Sequence, residues 1–101
     1  YAKRLEQSIK IILDKLSGRV EKISIFGSYA RGRRDLFTDL DILIIMKSKK
    51  SFLERTKDMY RLLSLPVDAD ILCYTPGELE KMKTRAFIKK ILKEEVVLYE
   101  K

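Results

Sequence analysis

Aspartates head the two most apolar stretches of this chain. Asp39-Leu40-Asp41 runs into Ile42-Leu43-Ile44-Ile45-Met46, and Asp68-Ala69-Asp70 runs into Ile71-Leu72-Cys73-Tyr74. Side chains alternate faces along a strand, so Asp39 and Asp41 share one face, and Asp68 and Asp70 share another. Like charges held that close repel unless a cation or strong donors sit among them. If the two strands are neighbours, their aspartates form an acidic cluster at one edge of a sheet. A cluster of this kind serves phosphoryl transfer, where ions about 3.5–4 Å apart activate the attacking oxygen and stabilise the leaving group. The plainer alternative is that Asp39 begins a strand after a turn and Asp41 is merely exposed. Whichever of Asp68 and Asp70 lies off the cluster is then a solvated strand end.

A second chemical feature lies upstream, in Phe26-Gly27-Ser28-Tyr29-Ala30-Arg31-Gly32. A strand that stops at Gly-Ser and turns directly into a helix presents free backbone N–H groups at the helix start. Glycine lets the backbone approach a ligand closely, and those N–H groups with the Ser28 hydroxyl can cradle phosphate oxygens. The same pair also serves as an ordinary turn and helix cap. The chain has no histidine and a single cysteine, Cys73. Ser-His-Asp and Cys-His catalysis, the usual zinc sites and an internal disulfide are thereby excluded. Any metal must be bound through oxygen, which favours Mg²⁺ or Mn²⁺. Cys73, inside an apolar run, reads as a buried and inert thiol.

The elements that must position these residues follow from periodicity. Leu5, Ile9, Ile12, Leu13 and Leu16 recur at helical spacing, giving an amphipathic helix over 3–16. Residues 20–26 alternate as a half-buried strand, and a short helical turn, Tyr29 to Gly32, follows Gly27-Ser28. Asp39 to Met46 is a strand apolar on both faces, which places it centrally in a sheet. Ser51 caps a helix over 52–64 whose apolar positions include Phe52, Met59, Leu62 and Leu63, and Pro66 ends it. Val67 to Tyr74 is a third strand. Thr75-Pro76 opens a helix over about 77–93, and Val96 to Tyr99 adds a last short strand. With 101 residues, 46% of them hydrophobic and 37% charged, the expectation is one globular α/β domain of two layers over 1–101. No apolar run is long enough to span a bilayer, and the lone cysteine fits a reducing cytoplasm.

Gly27-Ser28, the ten residues that follow and Asp39-Leu40-Asp41 resemble the Gly-Ser-x₁₀-Asp-x-Asp signature of the nucleotidyltransferase superfamily typified by DNA polymerase β. The leading helix, the Asp70-Ile-Leu-Cys-Tyr-Thr-Pro-Gly-Glu-Leu passage and the closing Glu-Glu-Val-Val-Leu-Tyr extend the resemblance over nearly the whole chain, to the minimal nucleotidyltransferase branch. That resemblance implies a mixed β-sheet with helices packed on it. It implies Gly27 and Ser28 on the triphosphate of ATP or another NTP, and Asp39, Asp41 and a third carboxylate on Mg²⁺. The family's spacing to Thr75-Pro76 selects Asp70 over Asp68. The reaction would be attack of a hydroxyl on the α-phosphorus, transferring a nucleotidyl group and releasing pyrophosphate. Minimal members often pair with a separately encoded HEPN-type protein, a toxin that some of them inhibit by adding AMP to it. A docking module that acts as an antitoxin, with little or no catalysis, is the alternative.

Basic residues complete the reading. Lys plus Arg number 22 against 15 acidic residues, a net charge of +7, which attracts phosphates, nucleic acid or an acidic protein. Arg31, Arg33 and Arg34 flank the phosphate loop and can neutralise a triphosphate. Arg31 can equally brace the loop by pairing with a carboxylate. Lys81, Arg85, Lys89 and Lys93 recur every four residues as one stripe along the expected late helix, a solvated face or a weaker candidate surface for RNA. No aromatic residues interleave it, which argues against single-stranded nucleic acid.

Overall fold

The computed structural model describes residues 1–101. The chain runs α1 (Ala2–Leu16), β1 (Lys22–Phe26), α2 (Gly27–Ala30), β2 (Leu40–Ile45), α3 (Phe52–Leu63), β3 (Ala69–Tyr74), α4 (Pro76–Met82), α5 (Ala86–Glu94) and β4 (Val96–Glu100). The strands form one sheet in the order β3-β2-β1-β4. β1 pairs antiparallel with both β2 and β4, whereas β2 and β3 run parallel. The sheet is therefore mixed and the fold α+β, as expected, while helices cover both faces of the sheet and make three layers rather than the expected two. β2 lies in the interior of the sheet, which is why its side chains are apolar on both faces.

Alternation along the strands divides the core in two. Ile23, Ile25, Leu40, Ile42, Ile44, Ile71 and Cys73 face α1 and α3, packing with Leu5, Ile12, Leu16, Met59 and Leu63. Phe26, Leu43, Ile45 and Tyr74 face the opposite way, under Ile88 and Ile91 of α5 with Leu79 and Met82 of α4 beside them. Burying a large aliphatic side chain contributes roughly 1.5–3 kcal/mol, so both clusters hold helices to sheet. Caps fix where two of those helices begin. Ser51 accepts a hydrogen bond from the Glu54 N–H, and Thr75 with Glu78 forms a reciprocal capping box ahead of Pro76. At the far end of α3 the chain turns at Ser64, φ 44°, two residues before Pro66.

The expected helix over 77–93 is two helices. At about 100° per residue, Leu79 and Met82 would face one side of a straight helix and Ile88 and Ile91 the opposite side. Only a break lets both pairs reach the sheet. α4 stops at Met82, and Arg85 takes an extended conformation as the residue preceding α5. The stripe Lys81, Arg85, Lys89 and Lys93 is consequently divided between two helices and the turn joining them. The candidate RNA surface read from that periodicity does not exist as one helical face.

The outer edge of β3 is closed by side chains of α3. The Tyr60 hydroxyl donates to the Ala69 carbonyl and accepts from the Ile71 N–H, both at 3.0 Å. Arg55, only 3% exposed, reaches the Cys73 carbonyl at 3.4 Å, donates to the Lys50 carbonyl at 2.7 Å and pairs with Glu78 of α4. Cys73 is buried, and that burial pushes its thiol up to about 11, the inert state expected of it. No helix is long and apolar enough to cross a membrane.

Candidate nucleotide and metal site

The end of the sheet where β1 finishes and β2 and β3 begin gathers the chemistry-bearing residues. Phe26, the last residue of β1, pairs with Asp41, and Asp41 pairs with Asp70 across the parallel β2–β3 ladder. Gly27 follows at once with φ +73°, a conformation open to glycine and costly for residues with a Cβ. A Cβ placed there would lie 2.0 Å from Asp41 Oδ2. Two separate facts thus demand glycine, its backbone angle and the carboxylate resting on it. Helix α2 starts at Gly27 itself, two residues earlier than the turn expected from Tyr29 onward. Its first N–H groups have no carbonyl within the helix to bond. Ser28 is half-buried in that first turn.

Asp41 is held above the usual carboxylate range, at about 6. Burial is the largest cause, followed by the charges of Asp70 and Asp39 and a hydrogen bond with Asp70, while the Arg31 charge opposes them. Asp39 and Asp70 thus both bear on the Asp41 carboxylate. Asp39, exposed, lies just before β2, and Asp70, also exposed, is the second residue of β3. Asp68 falls outside the strand and faces solvent, contributing its backbone carbonyl to the Leu40 N–H at 3.2 Å. None of the ion pairs in this basic chain engages Asp39, Asp41 or Asp70. No three acidic side chains of the chain lie close enough together to hold a metal ion as they stand. What the three aspartates share is oxygen donor chemistry, the kind that hard divalent cations take.

The arginines divide their work differently from the expectation. Arg31 lies 3.5 Å from Glu94 of α5, so of its two possible roles the bracing contact is present, and its charge is still felt at Asp41. Arg33 makes its contacts within the loop between α2 and β2, and Arg34 reaches back from that loop to Tyr29 of α2. Arg33 donates to both oxygens of Asp35 at 3.0 Å. Arg34 lies 3.4 Å over the Tyr29 ring and donates to the Tyr29 carbonyl at 2.7 Å. Asp35, which no spacing rule singles out, also accepts from the Phe37 N–H and from the hydroxyl of fully buried Thr38, so it fixes the approach to Asp39. Beyond Asp41 and Asp70 a cavity of about 370 Å³ opens among aromatic side chains of β1, α3 and α5. Its aromatic lining escapes sequence reading because the residues come from three elements and look like ordinary core positions.

The family model for the nucleotidyltransferase domain matches residues 5–101. The chain belongs to the nucleotidyltransferase domain family. Two proteins of Methanocaldococcus jannaschii, each bearing the name "putative protein adenylyltransferase", are similar to it. One is 39% identical over 66 residues, 64% of this chain and 71% of that protein. The other is 42% identical over 43 residues, a match spanning 43% of each chain. Among solved structures, a protein of Sulfolobus solfataricus bearing the name "putative nucleotidyltransferase" superposes with a TM-score of 0.63 at 20% identity, covering 98% of this chain and 86% of that one. A mutant MntA-HpeT toxin-antitoxin complex contains a chain with a TM-score of 0.55 at 17% identity, covering 96% and 72%. A toxin-antitoxin complex with AMP-PNP gives 0.53 at 16%, covering 99% and 73%. At these identities the structural likeness establishes the shared nucleotidyltransferase fold.

Proposed function

We propose that this domain moves a nucleoside monophosphate, AMP, from an NTP to a hydroxyl of a partner macromolecule, a HEPN-type protein. The observation that carries the reading is the contact of the bare Gly27 backbone with Asp41, which itself faces Asp70 across the ladder. It sets the phosphate turn and the acidic cluster side by side, where the reacting phosphorus needs both. AMP and a protein acceptor are favoured by the names of the relatives from M. jannaschii, and a toxin partner by the complexes that share the fold.

In this reading the α2 N–H groups and the Ser28 hydroxyl hold the outer phosphates, and Arg31 adds positive charge nearby. Asp39, Asp41 and Asp70 hold Mg²⁺, with Mn²⁺ as a substitute, as their all-oxygen chemistry suits. When bound, that cation supplies charge neutralisation to the triphosphate and to the departing pyrophosphate. Asp70, at the β3 end of the cluster, takes the proton of the acceptor hydroxyl. The new bond joins that oxygen to the α-phosphorus as the bond to the bridging oxygen breaks, and pyrophosphate carries away the electron pair. A pure docking module would have no use for a cluster that lifts Asp41 to about 6 and costs folding stability. Incubation with labelled ATP and Mg²⁺, with and without a HEPN-type partner, tests the reading. Label on the partner that disappears with Asp39→Asn is the expected result. Label indifferent to that substitution and to EDTA, or none at all, would refute it.

A further inference from the structure

Asp41 and Asp70 border the cavity of about 370 Å³, and Phe26, Phe52, Tyr60 and Phe87 form much of its remaining wall. The volume falls at the small end of the range for pockets that take nucleoside-sized ligands. Phe52, Tyr60 and Phe87 stay 39%, 44% and 60% exposed, a cost in uncovered aromatic surface around one space. Neutral polar groups in the wall are already occupied. The Thr56 hydroxyl donates to the Phe52 carbonyl at 2.8 Å, and the Tyr60 hydroxyl both donates and accepts on the edge of β3. What the cavity offers a ligand is therefore ring faces, with carboxylates at the mouth that repel an anion from its interior. Asp41 meanwhile lies against the Gly27 backbone, so the cavity and the phosphate turn share one wall.

We propose that this cavity seats the nucleobase of the bound nucleotide, gripping it by its faces between Phe87 of α5 and the α3 aromatics without reading its edge. The proposal rests on the nucleotidyltransferase reading above and adds where the base sits and how selectively it is held. A molecule with phosphates at one end and a flat ring at the other spans both sides of the shared wall. The Asp41 and Asp70 carboxylates, which could accept from an amino group of the base, are taken up by the cation in the reading above, and the edge meets no free neutral donor, so adenine and guanine are held alike. Sites that hydrogen-bond a ligand's polar edge discriminate by roughly 10⁴-fold or more, and this one lacks the means.

The test is calorimetry on the full chain with Mg²⁺, comparing ATP, GTP and inorganic tripolyphosphate on the wild type, Phe87→Ala and Phe87→Trp. ATP and GTP should bind within a few-fold of each other. Tripolyphosphate should bind roughly 5- to 100-fold more weakly, the usual worth of one stacked base. Phe87→Ala should bring ATP down toward tripolyphosphate while leaving tripolyphosphate unchanged, and Phe87→Trp should restore the difference. Phe87 is mostly exposed, so the variant keeps its fold, which circular dichroism verifies. ATP affinity unmoved by Phe87→Ala would overturn the seat and leave the cavity to an aromatic group of the acceptor. A preference for ATP over GTP beyond roughly 100-fold would overturn the claim that the edge is unread. Failure of ATP and tripolyphosphate alike would sink the phosphate site, and the seat with it.

Discussion

Replacing Asp41 by Asn should make the metal-free protein more stable at neutral pH. Asp41 rises from an ordinary 3.8 to about 6 in the folded chain. Between those values the folded state binds more protons than the unfolded state, so stability falls as pH climbs through the window. Below it both states are protonated and Asp41 contributes nothing, and above it the full cost is present. At about 1.36 kcal/mol per pH unit, the upper bound is about 3 kcal/mol. Asp41 is only partly buried, and solvent screening reduces that to about 1–2 kcal/mol. Urea unfolding in EDTA from pH 4.5 to 8 measures it. Wild type should lose stability up to about pH 6.5 and then level off. The difference from Asp41→Asn should open over the same window, reaching about 4–8 °C in Tm per kcal/mol for a domain of this size. A variant less stable than wild type at pH 7.5, or a gap independent of pH, would refute the argument that the carboxylates crowd one another.

Other substitutions probe the remaining parts. Gly27→Ala should cost at least about 1 kcal/mol by urea titration and abolish nucleotide binding, because its methyl group would collide with Asp41 at φ +73°. Asp70→Asn should eliminate transfer of label from ATP while Asp68→Asn retains most of it, since only Asp70 faces Asp41. Glu78→Ala should cost about 2–3 kcal/mol by leaving buried Arg55 unpaired, the Glu78 end being partly exposed. Glu80→Ala, which breaks an exposed pair with Lys83, should shift the same urea midpoint hardly at all.

The gathering of Asp41 and Asp70 at one end of the sheet was legible because these residues obey local rules. Asp-x-Asp at the head of an apolar run fixes which face the carboxylates share, and two such runs become neighbours when both need burial on two sides. Ser51 and Thr75-Pro76 announced their helices through capping chemistry that acts over three residues. The break after Met82 was not visible in the same way, since no glycine or proline marks it and helix propensity favours continuity. What decides it is the sheet, which the apolar residues on both sides of the break must reach. Arg33 and Arg34 show the converse limit. Their position beside the phosphate turn suggested a ligand, but Asp35 and the Tyr29 ring are nearer partners. The aromatic cavity is non-local altogether, assembled from residues that are separately ordinary.

The two margins of the sheet are not alike. On the β3 side, Tyr60 and Arg55 of α3 take the Ala69 carbonyl, the Ile71 N–H and the Cys73 carbonyl, groups that another strand would use. A visiting polypeptide therefore meets α3 across that margin, with three of the main-chain groups already engaged, although the margin adjoins the aspartates. The β4 margin has no strand beyond it and leaves Val96 and Val97 uncovered, but it is separated from Asp70 by the width of the sheet. Main-chain pairing and access to the reactive end are thus assigned to opposite flanks. A macromolecule that presents a hydroxyl to Asp70 must be recognised through its side chains and its shape, while fibre-like growth by strand addition is shut out of the one flank where it would bury the aspartates.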